Sequence, residues 1–302
     1  MAISISGTSG ITQTGSFDSA STFGFKNRII NGQMQIAQRA TSATITAGST
    51  IAAGYSTVDR FYVYCTGANV TAAQVAGSGA TKNNLQITGA ASVTAIGVGQ
   101  RIEQFNSYDL AGSTATLSVN LSNSLLTTVT WTASYATTTA DTFGTLASPT
   151  VTQIATGTFT VTSTLTNYNA QITIPAAATT GIQIVFTVGA QISGTWVIGN
   201  VQLEKSSIAT SFDYRPYGTE LALCQRYYET SDGLVINSAW TTIINNIYWK
   251  VTKRTSPSTI TTTVSTGSGA AFSNVGSGVT LVYQSSTNSL AAAATVTASS
   301  EL

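Results

Sequence analysis

The sequence predicts an all-β protein: a jelly-roll-like antiparallel β-sandwich followed by a smaller C-terminal β module, with an extended segment at the N-terminus. Apolar residues alternate with hydroxyl residues in run after run, which is the period of a half-buried strand. Ser, Thr, Gly or Asn fill the short gaps between runs, which favours hairpins over helical crossovers. Hydrophobic residues make up 42% of the 302 residues, so the chain can bury enough apolar surface to offset the entropy of ordering.

The clearest strand signals lie in the middle of the chain. The run 115–123 alternates leucine and valine with threonine, serine and asparagine. The next run places Val129, Trp131, Ala133 and Tyr135 on one face. Runs with the same period follow at 159–161, 172–174, 182–188 and 196–198. Each run predicts a strand with one face toward the core.

The sequence predicts one short helix, from Thr219 to Glu229. Thr219 is of a type that caps helices, and Leu221, Cys224 and Tyr228 recur near helical spacing. The helix opens a smaller region whose predicted strands are Leu234 to Ala239, Ile243 to Thr252, Thr259 to Val264 and Val279 to Tyr283.

Three regions follow from these patterns. Residues 1–25 are rich in Ser, Thr and Gly and too poor in apolar residues to form a core, so we expect a partner to order them. Residues 26–217 contain most of the strand signals and form the predicted sandwich domain. Residues 218–302 form the predicted C-terminal β module.

Charged residues are scarce and unevenly placed. They make up 8% of the chain, where a typical soluble domain has roughly 25%. Asp141 is the only charged residue from Leu110 to Leu203, and there is none from Thr255 to Ser300. Uncharged, Thr-rich strand edges invite pairing with other chains, which predicts a symmetric homo-oligomer that covers them. A neutral exposed surface is the alternative.

The net charge of +1 lacks the excess of positive charge that is typical of proteins that bind nucleic acid or anionic lipid. The N-terminal stretch lacks the pattern of a signal peptide, and no apolar run approaches the roughly 18 residues of a membrane span. We therefore expect a protein made in a cytoplasm, without membrane insertion. Cys65 and Cys224 are expected to be reduced and buried, and a disulfide is the alternative. The sequence shows no metal-ligand spacing, and no cofactor is expected.

Four strings stand out in this hydroxyl-rich chain: NRIINGQMQIAQR from Asn27, VDRF from Val58, QRIEQF from Gln100 and NVQLEKSSIATSFDYRPYGTELALCQRYYE from Asn200. Together they resemble the phage tail-fibre and prophage virion proteins that share a jelly-roll, carbohydrate-binding-module-like domain. The matching positions are Asn27, Arg28, Asn31, Gly32, Val58 to Arg60, Gln100 to Glu103, Val201 to Glu204, Arg215, Pro216, Glu220, Leu221 and Cys224 to Tyr228. WKVTKRTSPSTIT and the final TASSEL resemble the C-terminal module of that family.

The resemblance implies a structural protein of a tailed-phage virion. It would be a tail-fibre subunit that attaches to other virion proteins through residues 1–25 and binds host cell-surface polysaccharide. A homotrimer suits a fibre, because three sandwiches can share a central apolar seam. A head decoration, cement or head-fibre protein is the alternative, and the resemblance does not separate the two.

The scarce charges cluster in the matching strings, which predicts paired, hydrogen-bonded structural contacts, since the arginine fork suits a carboxylate. Single solvated charges are the alternative. The residues expected to pair are Asp59, Arg60, Arg101, Glu103, Glu204, Asp213 and Arg215.

Enzyme chemistry is not expected. The chain has no histidine, which removes the commonest general base and the catalytic triads built on it. No glycine-rich loop precedes a helix, which argues against nucleotide chemistry. Glycan hydrolysis needs only two carboxylates, and Asp109 and Asp141 flank one strand run. Their role in capping turns is the favoured reading, so a glycan depolymerase ranks last.

Sugars bind flat aromatic faces beside amides and hydroxyls. The candidate glycan or interface contacts are Tyr55, Tyr135, Trp240, Tyr248 and Trp249. Strand alternation predicts burial for most of them. Tyr248 and Trp249 point to opposite faces of their strand, so at least one of the two is expected to be exposed or at a subunit interface.

Overall fold

The structure is a computed structural model of the chain. It describes residues 3–6, 10–13, 25–48, 54–77, 81–146, 148–236, 243–257, 259–264, 270–274, 277, 279–284 and 292–302.

Strands make up most of the regular secondary structure in the described residues. The first thirteen are β1 (Ile3–Ser6), β2 (Gly10–Gln13), β3 (Ser42–Ile45), β4 (Tyr62–Thr66), β5 (Val70–Ala76), β6 (Asn83–Thr88), β7 (Ala95–Ile102), β8 (Thr114–Asn123), β9 (Thr128–Ala136), β10 (Val151–Thr160), β11 (Thr166–Thr173), β12 (Ile182–Val188) and β13 (Thr195–Glu204). The one α-helix among the described residues, α1 (Tyr217–Gln225), precedes β14 (Tyr228–Ile236), β15 (Ile243–Tyr248), β16 (Thr259–Val264), β17 (Ala270–Asn274), β18 (Val279–Gln284) and β19 (Ala292–Ser299). Two short 3-10 helices, Gln104–Asn106 and Tyr108–Leu110, link β7 to β8.

Two antiparallel sheets built from β3 to β13 form a sandwich. One has five strands in the order β10-β9-β12-β7-β4, and the other has six in the order β11-β8-β13-β6-β5-β3. Neighbours in the sheets are distant in sequence, as when β12 lies between β9 and β7. The predicted all-β, jelly-roll-like antiparallel sandwich is confirmed.

A single hydrophobic core fills the space between these sheets. Val129, Trp131 and Ala133 face it from β9, as their alternation predicts. The alternation in β8 predicts that its outward-facing residues are exposed, but Thr116 and Ser118 are buried as well. The chain after β13 crosses this outer face, where the Ser206 carbonyl accepts a hydrogen bond of 2.8 Å from Thr116 Oγ1.

The helix differs from its prediction at both ends. It begins at Tyr217, and Thr219 makes no cap, because Pro216 occupies the cap position and its carbonyl accepts the bond from Glu220 N. It ends at Gln225, and Tyr228 is the first residue of β14, where it pairs with Ser299. Sheet pairing therefore ends the helix before the predicted Glu229.

Helix α1 closes a second, smaller apolar cluster against the sandwich. We call it the helix cluster, and it consists of Ile30, Ile36, Leu221, Leu223, Cys224, Tyr227 and Leu302. Cys65 lies in the main core and Cys224 in the helix cluster, and both are buried and free.

The C-terminal region folds into two three-stranded antiparallel sheets, ordered β14-β19-β16 and β15-β18-β17. The predicted strand at Thr259 to Val264 coincides with β16. In the N-terminal segment β1 and β2 pair with each other, and most of residues 1–25 lie outside the described residues. The domain boundaries at residues 25 and 217 stay predictions.

Candidate functional site

A cleft of about 530 Å³ lies on the outer face of the five-stranded sheet. Residues of β4 alternate between the two faces of this sheet. Val63 and Cys65 face the core, while Tyr62, Tyr64 and Thr66 line the cleft. The other lining residues are Arg101, Thr132, Ser134, Thr145, Leu146, Pro149, Val151, Gln153, Gln183, Val185 and Thr187.

Two tyrosines form the aromatic end of the floor. Tyr62 is paired across the strands with Gly99, and Tyr64 with Gly97. A Cβ built on either glycine would overlap the ring of its tyrosine, so each ring lies over bare backbone. The two rings are nearly parallel, with centroids 6.5 Å apart and planes 21° apart. The glycines thus allow both rings to pack on the backbone of β7, where Tyr64 is partly exposed and Tyr62 is fully buried.

A row of polar side chains crosses the sheet beside the tyrosines. In strand register, Arg101 lies next to Gln183, Gln183 next to Ser134, and Ser134 next to Gln153. Arg101 Nε donates to Gln183 Oε1 at 2.9 Å. We call these four residues the polar row, and it offers amide and hydroxyl groups along the length of the cleft.

One loop forms a wall of the cleft. We call residues 141–146 and 148–150 the wall loop, and it contributes Thr145, Leu146 and Pro149 to the lining. The Gly144 carbonyl accepts a bond of 3.0 Å from Arg101 Nη2. At the start of the loop, Asp141 Oδ1 accepts a bond of 2.7 Å from Gln104 N, and burial raises the pKa of Asp141. The loop is thus fixed to β7 and to the 3-10 turn after it.

The Tyr62 hydroxyl is buried and has no hydrogen-bond partner among the described residues. Burial raises the pKa of Tyr62 well above its ordinary value, so the hydroxyl keeps its proton at neutral pH. A buried polar group without a partner is unfavourable, so this hydroxyl is expected to lower the stability of the folded protein.

Of the five aromatic residues predicted as glycan contacts, the four that the structure describes do not line the cleft. Tyr55 is half-buried and touches Tyr62 edge-on, with ring centroids 5.9 Å apart. Tyr135 packs against the main core, on the opposite face of the sheet from the cleft. Tyr248 is 71% exposed and Trp249 is buried, and Trp240 lies outside the described residues.

Sequence reasoning missed Tyr62, Tyr64 and the polar row. The available signal was Tyr-x-Tyr in β4 and Gly-x-Gly in β7, two patterns of the same period. Only the strand register shows that the two patterns lie opposite each other.

The seven clustered charges make no ion pair with one another in the described residues. Four of them pair with charges elsewhere: Arg60 with Glu301, Glu103 with Arg226, Glu204 with Lys26, and Arg215 with Glu220. The other three are held by neutral groups: Asp59 accepts from Gln38, Asp213 from Asn27 N, and Arg101 donates to Gln183 and to carbonyls.

The cleft offers no acid–base pair, since none of its described lining residues is a carboxylate. Asp109, one of the two candidate acids, pairs with Arg28 at 2.8 Å. Asp141 lies 3.9 Å from Arg254 Nη1. Within the described residues no three His, Cys, Asp or Glu side chains are grouped to hold a metal ion.

The described part of the chain contains no helix with the length and hydropathy of a membrane span.

Comparisons with known proteins find similarity only to solved structures. No protein-family model matches the chain, and no curated protein matches it. One similar structure is TmCBM61 in complex with β-1,4-galactotriose, with 11% identity and a TM-score of 0.36, covering 60% of this chain and 99% of that one. Another is the family 11 carbohydrate-binding module of a Clostridium thermocellum cellulosomal cellulase, with 14% identity, a TM-score of 0.33 and coverage of 53% and 96%.

A third similar structure is the enzymatically active domain of tailspike protein 4 from bacteriophage CBA120. It has 17% identity and a TM-score of 0.35, and the match covers 59% of this chain and 21% of the tailspike chain. Similarities of this size define neither a ligand nor an activity for this chain.

Proposed function

We propose that this protein is a non-enzymatic tail-fibre subunit of a tailed-phage virion, and that its sandwich binds host cell-surface glycan in the cleft. The observation that carries the glycan proposal is the partly exposed Tyr64 ring, which lies over Gly97 beside the polar row, with the buried Tyr62 ring nearly parallel to it. The C–H faces of sugars pack on such rings, while their hydroxyls bond to amides and hydroxyls.

The dimensions of the floor fit an oligosaccharide better than a compact metabolite. Five strands cross the floor, which at about 4.8 Å per strand gives a length of about 19 Å. Donors and acceptors recur along this length in the polar row. The floor is made of strands, so its side chains are held in place before a ligand arrives.

The sequence supports the virion part of the proposal. The strings beginning at Asn27, Val58, Gln100 and Asn200 resemble tail-fibre and prophage virion proteins. The uncharged stretches of the chain suit a homotrimer in which neighbouring copies cover them. In this proposal the protein is made in the host cytoplasm, joins the virion through residues 1–25 and uses no cofactor, nucleic acid or membrane.

The glycan proposal is tested with a polysaccharide array, followed by calorimetry with a bound oligosaccharide. Tyr64→Ala removes a ring of the floor and is expected to weaken binding about tenfold or more. Tyr248→Ala removes an exposed ring elsewhere and is the matched control. If Tyr248→Ala abolishes binding and Tyr64→Ala leaves it intact, the cleft is not the site.

The virion proposal needs separate experiments. Mass photometry of the purified protein is expected to give a trimer at micromolar concentration, and a stable monomer counts against a fibre. Labelled protein on intact particles distinguishes tails from heads, and a signal on heads favours the decoration or cement alternative. Release of reducing sugar from a bound polysaccharide would show that the protein is a depolymerase.

A further inference from the structure

Residues from the last part of the chain contact both the floor and the wall of the cleft. They are Arg254, Ser300, Glu301 and Leu302, and we call them the clamp. We propose that the clamp positions Arg101 and the wall loop, so that glycan affinity in the cleft depends on C-terminal residues that touch no ligand. This inference rests on the proposed glycan-binding function.

The clamp is held together by Arg254. Its Nε donates to the Ser300 carbonyl at 3.0 Å and its Nη2 to the Glu301 carbonyl at 3.3 Å. Its backbone N donates to the Arg226 carbonyl at 2.9 Å, and Ser300 N donates to the Tyr227 carbonyl at 2.7 Å. The clamp is thus fixed to the junction between α1 and β14.

Glu301 fixes the clamp to the sandwich. Its carboxylate accepts hydrogen bonds from Arg60 and, at 3.3 Å, from Arg39. The Arg60 side chain is almost fully buried, and its guanidinium lies 3.4 Å from the centroid of the Tyr227 ring. Arg60 also donates to the Arg101 carbonyl at 2.6 Å, so this ion pair reaches the backbone of β7 at the edge of the cleft.

Leu302 contacts the floor directly. Its main-chain oxygen accepts a bond of 2.9 Å from Arg101 Nη1 and one of 3.4 Å from Tyr55 Oη. Tyr55 in turn packs edge-on against Tyr62. One main-chain oxygen therefore orients the cation of the polar row and supports the tyrosine at the aromatic end.

The clamp reaches the wall loop by two routes. Arg101, held by Leu302, donates to the Gly144 carbonyl at 3.0 Å. Arg254 itself lies 3.9 Å from Asp141. Without the clamp, the Arg101 guanidinium would lose one of its three partners, and the loop would lose a charge contact at its start. A looser floor and wall must be ordered when a ligand binds, which lowers affinity.

Two clamp variants and one control test the inference. Arg254→Ala removes the two hydrogen bonds from the Arg254 side chain to the Ser300 and Glu301 carbonyls. Glu301→Gln weakens the attachment of the clamp to Arg60 and Arg39. Ile172→Ala is the control, because Ile172 is buried in the main core on β11, the edge strand of the other sheet, and lies outside the helix cluster, the clamp and the cleft lining. The measurements are oligosaccharide affinity, Tm, and hydrogen exchange of ligand-free protein at the wall loop, including Thr150 N, which donates to the Phe143 carbonyl.

The clamp variants are expected to bind between about threefold and tenfold more weakly, with faster exchange in the wall loop. Ile172→Ala is expected to lower Tm by a similar amount while leaving affinity and loop exchange unchanged. If all three variants lose the same affinity and show the same loop exchange at the same loss of Tm, the inference is wrong. If the wild-type protein binds no oligosaccharide, the proposed function is wrong, and the exchange comparison alone decides whether the clamp holds the loop.

Discussion

Tyr64 lies over Gly97 on the neighbouring strand, so closely that a Cβ on the glycine would overlap the tyrosine ring. A glycine inside a strand weakens the strand, because it has no side chain to pack and loses more entropy on ordering. The tyrosine covers the exposed backbone and compensates for this. Placing a ring there also fixes its plane along the sheet, which is the geometry that a sugar face needs.

Gly97→Ala is therefore expected to displace the Tyr64 ring without unfolding the protein, because the overlapped atoms belong to a side chain that can rotate away. Glycan affinity should fall about tenfold, with little change in Tm. Gly189→Ala is the control, since a Cβ there meets nothing within 4 Å. Unchanged affinity in Gly97→Ala would show that the ring position does not matter. Calorimetry and thermal unfolding give both readouts.

Tyr62→Phe is expected to stabilise the protein in the absence of ligand. The hydroxyl is buried without a partner among the described residues, and such a group costs about 1–3 kcal/mol. Urea unfolding should therefore show a gain of about 1 kcal/mol. Tyr227→Phe is the control and is expected to lower the free energy of unfolding, because the buried Tyr227 hydroxyl donates to Glu103 at 2.9 Å. A loss of stability in Tyr62→Phe would mean that the hydroxyl is satisfied in solution.

The sandwich could be predicted from the sequence, but its cleft could not. Alternation identifies a strand and its core face, as it does for Val129, Trp131 and Ala133. It does not say which strands are neighbours. The pairing of Tyr62 with Gly99 depends on a register that only the folded sheet defines, so aromatic residues on other strands were chosen instead.

The charge partners were unpredictable for a related reason. Arg60 and Glu301 are 241 positions apart in the sequence, and no local pattern links them. The scarcity of charge did indicate that those side chains have structural roles, and Arg60 and Glu103 are indeed buried. Likewise β17 and β19 begin with runs of alanine, which give little strand signal, so the sequence predicts neither as a strand.

Buried tyrosines should make the protein sensitive to alkali. Burial raises the pKa of Tyr55 to about 12 and also raises the pKa values of Tyr62 and Tyr227. The folded state then keeps protons that the unfolded chain loses above about pH 10. The free energy of unfolding is therefore not reduced by these tyrosines below about pH 10. As the pH rises from there through 12, it falls by up to about 1.4 kcal/mol per pH unit for each such tyrosine.

Urea unfolding at pH 9, 10 and 11 measures this slope, and absorbance of tyrosinate reports the titration itself. Tyr55→Phe should flatten the slope between pH 10 and 11, because it removes one of the shifted groups while keeping the edge contact with Tyr62. An identical slope in Tyr55→Phe and the wild type would show that the Tyr55 pKa is not raised in the folded protein.

Lys253 and Glu229 form a buried ion pair in the C-terminal region, with side chains that are 0% and 1% exposed. Burial lowers the pKa of Lys253, and Lys253 Nζ also donates to the Gln225 carbonyl at 2.6 Å. Lys253→Met leaves the Glu229 carboxylate buried without its cation, and such a change costs about 3–5 kcal/mol. Urea unfolding measures this loss, followed by tryptophan fluorescence, to which Trp249 contributes with its ring centroid 5.2 Å from Lys253 Nζ.

The double variant Glu229→Gln with Lys253→Met should recover most of this loss. The glutamine carries no charge, yet it still offers an oxygen to Lys250 N, which donates to Glu229 Oε1 at 2.9 Å. The recovery would show that the single variant suffers from a buried unpaired charge and not from lost packing around the lysine stem. If the double variant is as unstable as Lys253→Met alone, the lysine stabilises this region mainly through its contacts with the Gln225 and Val251 carbonyls.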